Sequence, residues 1–203
     1  MKRYILYSIA LIMLLSLTAV FAENQQKQEG RLKDKKIVMI IAHRQFERPE
    51  FEEPKNIFKR EKAKITVASS SLSEATSMPG LYQLKVKPNI LINDIQVKDY
   101  DAVVFIGGVG CVEYFDNPTA HKIAKQALEQ GKILAAICLA PTILANAGLL
   151  QGKKATCFQP YNITSKGAIA TGKQVERDGN IITGNGPAAA KQFGGKIVSA
   201  LSE

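Results

Sequence analysis

Three groups of residues in this chain have the types and spacing that do chemistry. The first is Cys138, which closes the run Lys132-Ile133-Leu134-Ala135-Ala136-Ile137 and stands shortly before Pro141. The run is apolar without alternation after its lysine, the pattern of a central parallel strand covered on both faces. Pro141 can open a helix, because its missing N–H is not needed in the first turn. A thiol on such a corner faces the crevice at the carboxyl edge of an open α/β sheet, where unpaired helical amides favour its thiolate. Cys138 is therefore expected to be the acidic, selectively oxidised thiol, with Cys111 and Cys157 slower toward the same reagent. A free cysteine is equally common as a small core hydrophobe, and the corner alone leaves both readings open.

The second group is Gly107-Gly108-Val109-Gly110, which follows the unalternating run Asp101-Ala-Val-Val-Phe-Ile106. Glycine lets backbone amides approach a ligand closely. If the strands ending at Gly107 and Ile137 are neighbours, the amides of Gly108 and Val109 point at whatever Cys138 holds. With Leu139 they form the expected oxyanion or substrate-binding set. The loop lacks both the G-x-G-x-x-G spacing and a following Gly-Lys-Ser/Thr, so no nucleotide cofactor is expected; a tight turn would need the same glycines.

The third group is acidic. Glu47 lies just after the first strand, among Glu50, Glu52 and Glu53. Brought beside a thiolate, its carboxyl would hold its proton more tightly and could donate to sulfur or relay a proton to substrate; the plainer reading is an exposed acidic cluster. His43 ends the strand that delivers Glu47 and could line the same crevice. With two histidines in the chain, and neither Cys-x-x-Cys nor His-x-x-x-His, no metal is expected.

The elements that must position these groups follow from periodicity. Lys36 to Ala42 reads as a buried strand, Glu50 to Lys62 as a helix with Phe51, Ile57 and Phe58 inward and Pro54 disturbing its first half, and Ala63 to Ala68 as a second strand. Tyr82, Leu84 and Val86 alternate with polar residues as a half-exposed strand does, with Ile90 to Ile92 returning against it. Asn117-Pro118 caps a helix that runs to Gly131, Lys154 to Phe158 reads as a strand, Gly179-Asn180 turns into Ile181 to Thr183, and a closing helix spans about Ala188 to Leu201. The order predicts an α/β fold, a three-layer α/β/α sandwich around a mainly parallel central sheet.

The 203 residues, 46% hydrophobic and 22% charged, suit one substantial domain. The expected division is a signal peptide over 1–22, a flexible lead-in over 23–35 and the folded domain over 36–203. Lys2 and Arg3 precede an apolar run from Ile5 to Val20, and Val20-Phe-Ala22 supplies small residues at the cleavage positions. The mature protein is accordingly expected to be periplasmic or secreted, without stable membrane association after processing. The formal net charge of +9 forms no stripe interleaved with aromatics, so nucleic acid is not an expected partner.

Together Phe46-Glu47, Val104-Phe-Ile-Gly-Gly108, Gly131-Lys-Ile-Leu-Ala-Ala-Ile-Cys138-Leu-Ala-Pro141, Gly148-Leu-Leu-x-Gly152-Lys and Val175-Glu-x-Asp178-Gly-x-Ile-Ile-Thr-Gly-Asn-Gly186-Pro187 carry a resemblance. From about Lys36 to Leu201 the chain resembles the ThiJ/PfpI family of the class I glutamine amidotransferase-like superfamily, especially its Parkinson-associated redox, chaperone and deglycase branch. The resemblance implies a flavodoxin-like fold with a nucleophile-elbow cysteine at Cys138, and Glu47 as its protonated partner acid. It also implies a homodimer, for which Tyr82, Leu84 and Tyr114 are apolar residues a partner could cover.

The chain departs from that pattern as well. Leu139 stands where protease-like members have histidine, Thr156-Cys157-Phe158 offers no imidazole where the redox branch has one, and Asn185 replaces an arginine before the Gly-Pro turn. The usual proton acceptor for acyl transfer is therefore missing. The expected function is an exported stress or detoxification protein whose Cys138 thiolate, assisted by Glu47, acts on small reactive carbonyl compounds or responds to oxidants. The alternatives are a noncatalytic scaffold of the same fold and a peptidase- or amidase-like hydrolase.

Overall fold

The computed structural model describes residues 30–203; the expected leader, its cleavage point and most of the lead-in lie outside the described residues. The centre is a seven-stranded sheet built from β1 (Lys36–Ile40), β3 (Lys64–Ser69), β6 (Ile90–Leu91), β7 (Ala102–Phe105), β8 (Ile133–Ile137), β11 (Val175–Asp178) and β12 (Ile181–Gly184). Its order is β11-β12-β8-β7-β1-β3-β6. All neighbours pair parallel except the β11–β12 hairpin. Every residue of β7 and β8 is buried, which explains their lack of alternation: helices cover both faces, so neither face selects polar side chains.

Helix α1 (Arg48–Arg60) and the closing helix α5 (Ala190–Leu201) pack together on one face. On the other lie α2 (Pro118–Glu129) and the short α3 (Pro141–Asn146), with α4 (Pro160–Thr164) against α3. The result is a three-layer α/β sandwich. Asn117 starts α2 by accepting from the Thr119 and Ala120 amides at 2.9 and 3.1 Å, and Pro118 occupies a position whose N–H the helix does not use. No helix among the described residues is long and apolar enough to cross a membrane.

Two expectations change. Ile90 does not return against the Tyr82 to Val86 segment. Asn89 is bound to Val67 through both its backbone N–H and its side-chain oxygen, each at 2.7 Å, and this delivers β6 to the edge of the main sheet beside β3. The alternating segment shortens to β5 (Lys85–Val86), which joins β2 (Arg44–Phe46) and β4 (Ala75–Ser77) in a small separate sheet. Likewise the strand expected over 154–158 shortens to β9 (Lys154–Ala155), paired with β10 (Ile169–Ala170). The chain leaves it at Thr156 because Phe158 donates its N–H to the Cys138 carbonyl, 2.8 Å away.

Parallel pairing sets the location of the site. Ile40 is level with Phe105, Phe105 with Ala136, and Ile137 with Gly184. The segments leaving β1, β7 and β8 therefore emerge side by side at one edge of the sheet.

Candidate functional site around Cys138

Cys138 follows β8 directly and has a left-handed backbone, φ +66°, a conformation that costs a non-glycine residue about 1–3 kcal/mol and that the surroundings must impose. Both of its backbone groups are tied down. Its N–H donates to the Gly184 carbonyl at 2.9 Å, and its carbonyl accepts from the Phe158 N–H and from the Cys157 thiol at 3.1 Å. Cys138 is 7% exposed, against none for Cys111 and 3% for Cys157. All three are free thiols.

Gly107 and Gly108 come up beside this corner. A Cβ on Gly107 would lie 2.6 Å from the Cys138 Cβ, from the Ile137 oxygen and from a Glu50 carboxyl oxygen, so no side chain fits between the cysteine and the acid. Gly108 has φ +96°, and a Cβ there would meet the backbone of Gln45 and Glu47 at 2.4 Å. The amides of Gly108 and Leu139 act on the Cys138 sulfur and favour its anion. These are two of the three residues expected to form an oxyanion set. Val109 opens a 3-10 turn over Val109–Tyr114 and is itself 45% exposed.

The acid beside the cysteine is Glu50, whereas the sequence pointed to Glu47. Glu50 is wholly buried in the first turn of α1, and burial pushes its pKa up to about 8. The Cys138 thiol and the Gly107 amide are near enough to pull that value back somewhat, and the charge of Glu47 pushes it further up. Neither Glu50 oxygen has a well-formed hydrogen bond; thiol and amide bias the proton without capturing it. Glu47 is half-buried and caps α1 through its backbone. Its N–H donates to the Gly107 carbonyl at 3.0 Å and its own carbonyl receives the Phe51 N–H. It anchors the glycine loop, and its carboxyl, raised by partial burial, acts by its charge on Glu50.

A sequence signal for Glu50 existed. Glu50, Pro54, Ile57 and Phe58 all lie on the buried stripe of α1, at helical spacing, so an acid on that stripe is marked as functional or paired.

The enclosed site opposes the expected acidity of Cys138. Burial pushes the thiol up first and the negative charge of Glu50 adds to this, while the Gly108 and Leu139 amides pull the other way. Burial also raises Cys111 and Cys157. The Glu50 charge contribution vanishes when the carboxyl is protonated, which leaves burial as the main opposition to the thiolate.

His43 is not brought to the cysteine by any bond of its own. Its N–H donates to Glu113 at 3.0 Å, and the same carboxylate receives the Ser70 hydroxyl. His121 lies in α2 with its ring on the Phe115 carbonyl. Asn185 is half-buried and lines a cleft of about 380 Å³ with Thr156, Cys157, Phe158 and Gly186, next to the backbone of Cys138. No group of three or more His, Cys, Asp or Glu able to hold a metal occurs among the described residues.

Residues 35–200 match the DJ-1/PfpI family, and the chain belongs to that family. A protein of Methanocaldococcus jannaschii, uncharacterized, is 33% identical over all of this chain and 98% of its own length. A deglycase of Pyrococcus horikoshii is 28% identical over 74% of this chain and 90% of its own. Among solved structures, a ThiJ/PfpI domain protein from Brachyspira murdochii superposes with a TM-score of 0.78 at 30% identity, covering 83% of this chain and 97% of that one.

Proposed function

We propose that this protein is a cysteine-dependent stress protein that acts on small reactive carbonyl compounds, with Cys138 as nucleophile on a nucleophile elbow and Glu50 as its proton relay. The observation that carries this reading is the fully buried Glu50 carboxyl set against a thiol on a strained corner, with the Gly108 and Leu139 amides on the sulfur. The family link to deglycases supports it.

Thiol plus carboxylate and thiolate plus carboxylic acid carry the same net charge and differ only in where one proton sits. As a carbonyl carbon approaches, the sulfur–carbon bond forms while the thiol proton passes to Glu50. The C=O π pair moves onto oxygen, which the amides stabilise. Glu50 then returns the proton to that oxygen, leaving a hemithioacetal with all atoms accounted for. Amide hydrolysis is a poorer fit, because a leaving amine needs a further proton donor and Leu139 occupies the position after the cysteine.

The test is turnover of methylglyoxal beside a fluorogenic peptide. Cys138→Ser is expected to abolish carbonyl turnover and Glu50→Gln to lower it about 10²- to 10⁴-fold, the range of a lost acid–base group, whereas Glu47→Gln changes it less than about threefold. Wild-type protein inactive on both substrates would leave a noncatalytic scaffold, and peptide turnover would move the protein to the hydrolases.

We further propose that the protein is exported, processed between Ala22 and Glu23, and paired as a homodimer. The basic residues and apolar run of the leader support export. N-terminal sequencing of extracytoplasmic material starting at Glu23 is the expected result; Met1 retained in carbonate-resistant membranes would reject it.

A further inference from the structure

A groove separate from Cys138 runs between α1 and β5. It encloses about 430 Å³ and is lined by Phe51, Glu52, Lys55, Asn56, Lys59 and the segment 84–87. Glu52, Lys55, Asn56 and Lys59 recur at helical spacing along one side of α1, while Lys85 and Lys87 come from the opposite wall, so four lysines line one concavity.

Most of the nearby negative charge is already used. Glu52 pairs with Arg48 at 2.8 Å, and Lys85 pairs with Glu74 at 3.2 Å. Lys55, Lys59 and Lys87 have no ion pair among the described residues. Lys55 is also partly desolvated, its ammonium 4.6 Å from the ring centroid of the buried Phe51. Burial and the neighbouring Lys59 both press its pKa down, and the pull of Glu52 is weaker than the push of Lys59. Like charges at i,i+4 on a helix repel. The sequence tolerates that repulsion where a surface stripe could equally have carried glutamate.

We propose that this groove binds a compact, soluble phosphate-bearing ligand, held by Lys55, Lys59 and Lys87 over the Phe51 ring. A dianion there would meet three unpaired ammonium groups and relieve the Lys55–Lys59 repulsion, and the concavity falls in the size range of small-molecule sites. Asn56 adds an amide that can donate to a phosphate oxygen. The proposal is independent of the chemistry at Cys138.

Inorganic pyrophosphate is the probe, titrated calorimetrically into the full chain at fixed ionic strength with chloride as the balancing anion. Saturable binding of one pyrophosphate per chain is expected, weakened about tenfold or more in Lys55→Gln/Lys59→Gln. Lys98→Gln/Lys122→Gln removes the same number of charges from a cleft on the other face of the sheet and is expected to leave the affinity unchanged. Lys87→Gln, outside any helix, is expected to weaken binding as well and keeps the test open if the α1 variant folds poorly by circular dichroism. Equal weakening in the two double variants, or undiminished binding in Lys55→Gln/Lys59→Gln, would overturn the site. Co-sedimentation with phosphatidic acid vesicles without pyrophosphate binding would assign the charges to a lipid headgroup and overturn the soluble ligand.

Discussion

Glu50 is the residue whose surroundings do most to set the chemistry. Its folded pKa is raised to about 8 from an unfolded value near 4.3, so between those limits the folded chain binds a proton that the unfolded chain has lost. Stability from this group is complete below the unfolded value and falls as pH rises through the folded one. Denaturant unfolding across pH 4 to 9 should therefore show a decline over that window, amounting to a few kcal/mol at most. Glu50→Gln, which cannot ionise, should flatten it. An unchanged slope in the variant would place the titrating group elsewhere. The same titration bears on Cys138: below about 8 the acid is mainly neutral and cannot take the thiol proton, and as pH rises through that value the carboxylate that accepts it becomes populated.

At the scale of elements, the site depends on three chain segments leaving adjacent parallel strands and on the two helices that fix their ends. Helix α1 carries Glu50 inward and holds the glycine loop through the Glu47 N–H. Helix α2 buttresses the other face of β7 and β8 and owes its start to Asn117. Replacing Asn117 with alanine should cost about 1 kcal/mol, read as a drop in Tm of about 2–4 °C for a domain of this size. Asn117→Asp, which keeps the accepting oxygen, should restore most of it. A loss confined to thermal stability, with Cys138 alkylation unchanged, would confirm that this cap serves the scaffold alone.

At the scale of the whole molecule, pairing with a second copy is the prediction with the clearest surface. Tyr114 cannot contribute, since it is 1% exposed and donates its hydroxyl to the Ile41 carbonyl at 3.0 Å. Leu84 is half-buried against the core. Tyr82 is 71% exposed, with Arg48 over its ring, and Leu81 beside it is 94% exposed. Large apolar groups standing together in solvent are what a partner covers. Light scattering at low micromolar concentration should give twice the chain mass, and Leu81→Ser/Tyr82→Ser should shift the protein toward monomer. A monomer mass for the wild type would reject the pairing.

The residues of β7 and β8 determined their own strands, because unbroken apolar runs that end in glycine or at a cysteine before proline admit few other folds. By the same local logic the chain declared its layered α/β order, the Asn117 cap and the Cys138 corner with the glycine loop beside it. It did not by itself decide between Glu47 and Glu50. Both follow β1 within ten residues, and the choice depends on α1 beginning at Arg48, which turns Glu50 onto the buried stripe and leaves Glu47 at the cap. Nor did it determine the thiol's acidity. The corner and its amides argue for a thiolate, but enclosure by distant segments imposes a desolvation that a linear pattern does not record. The edge strand at Ile90 was likewise decided by Asn89 reaching Val67 across the fold. What is local in the chain was legible in it, and what depends on burial by residues far along the chain was set only when the sheet closed over the site.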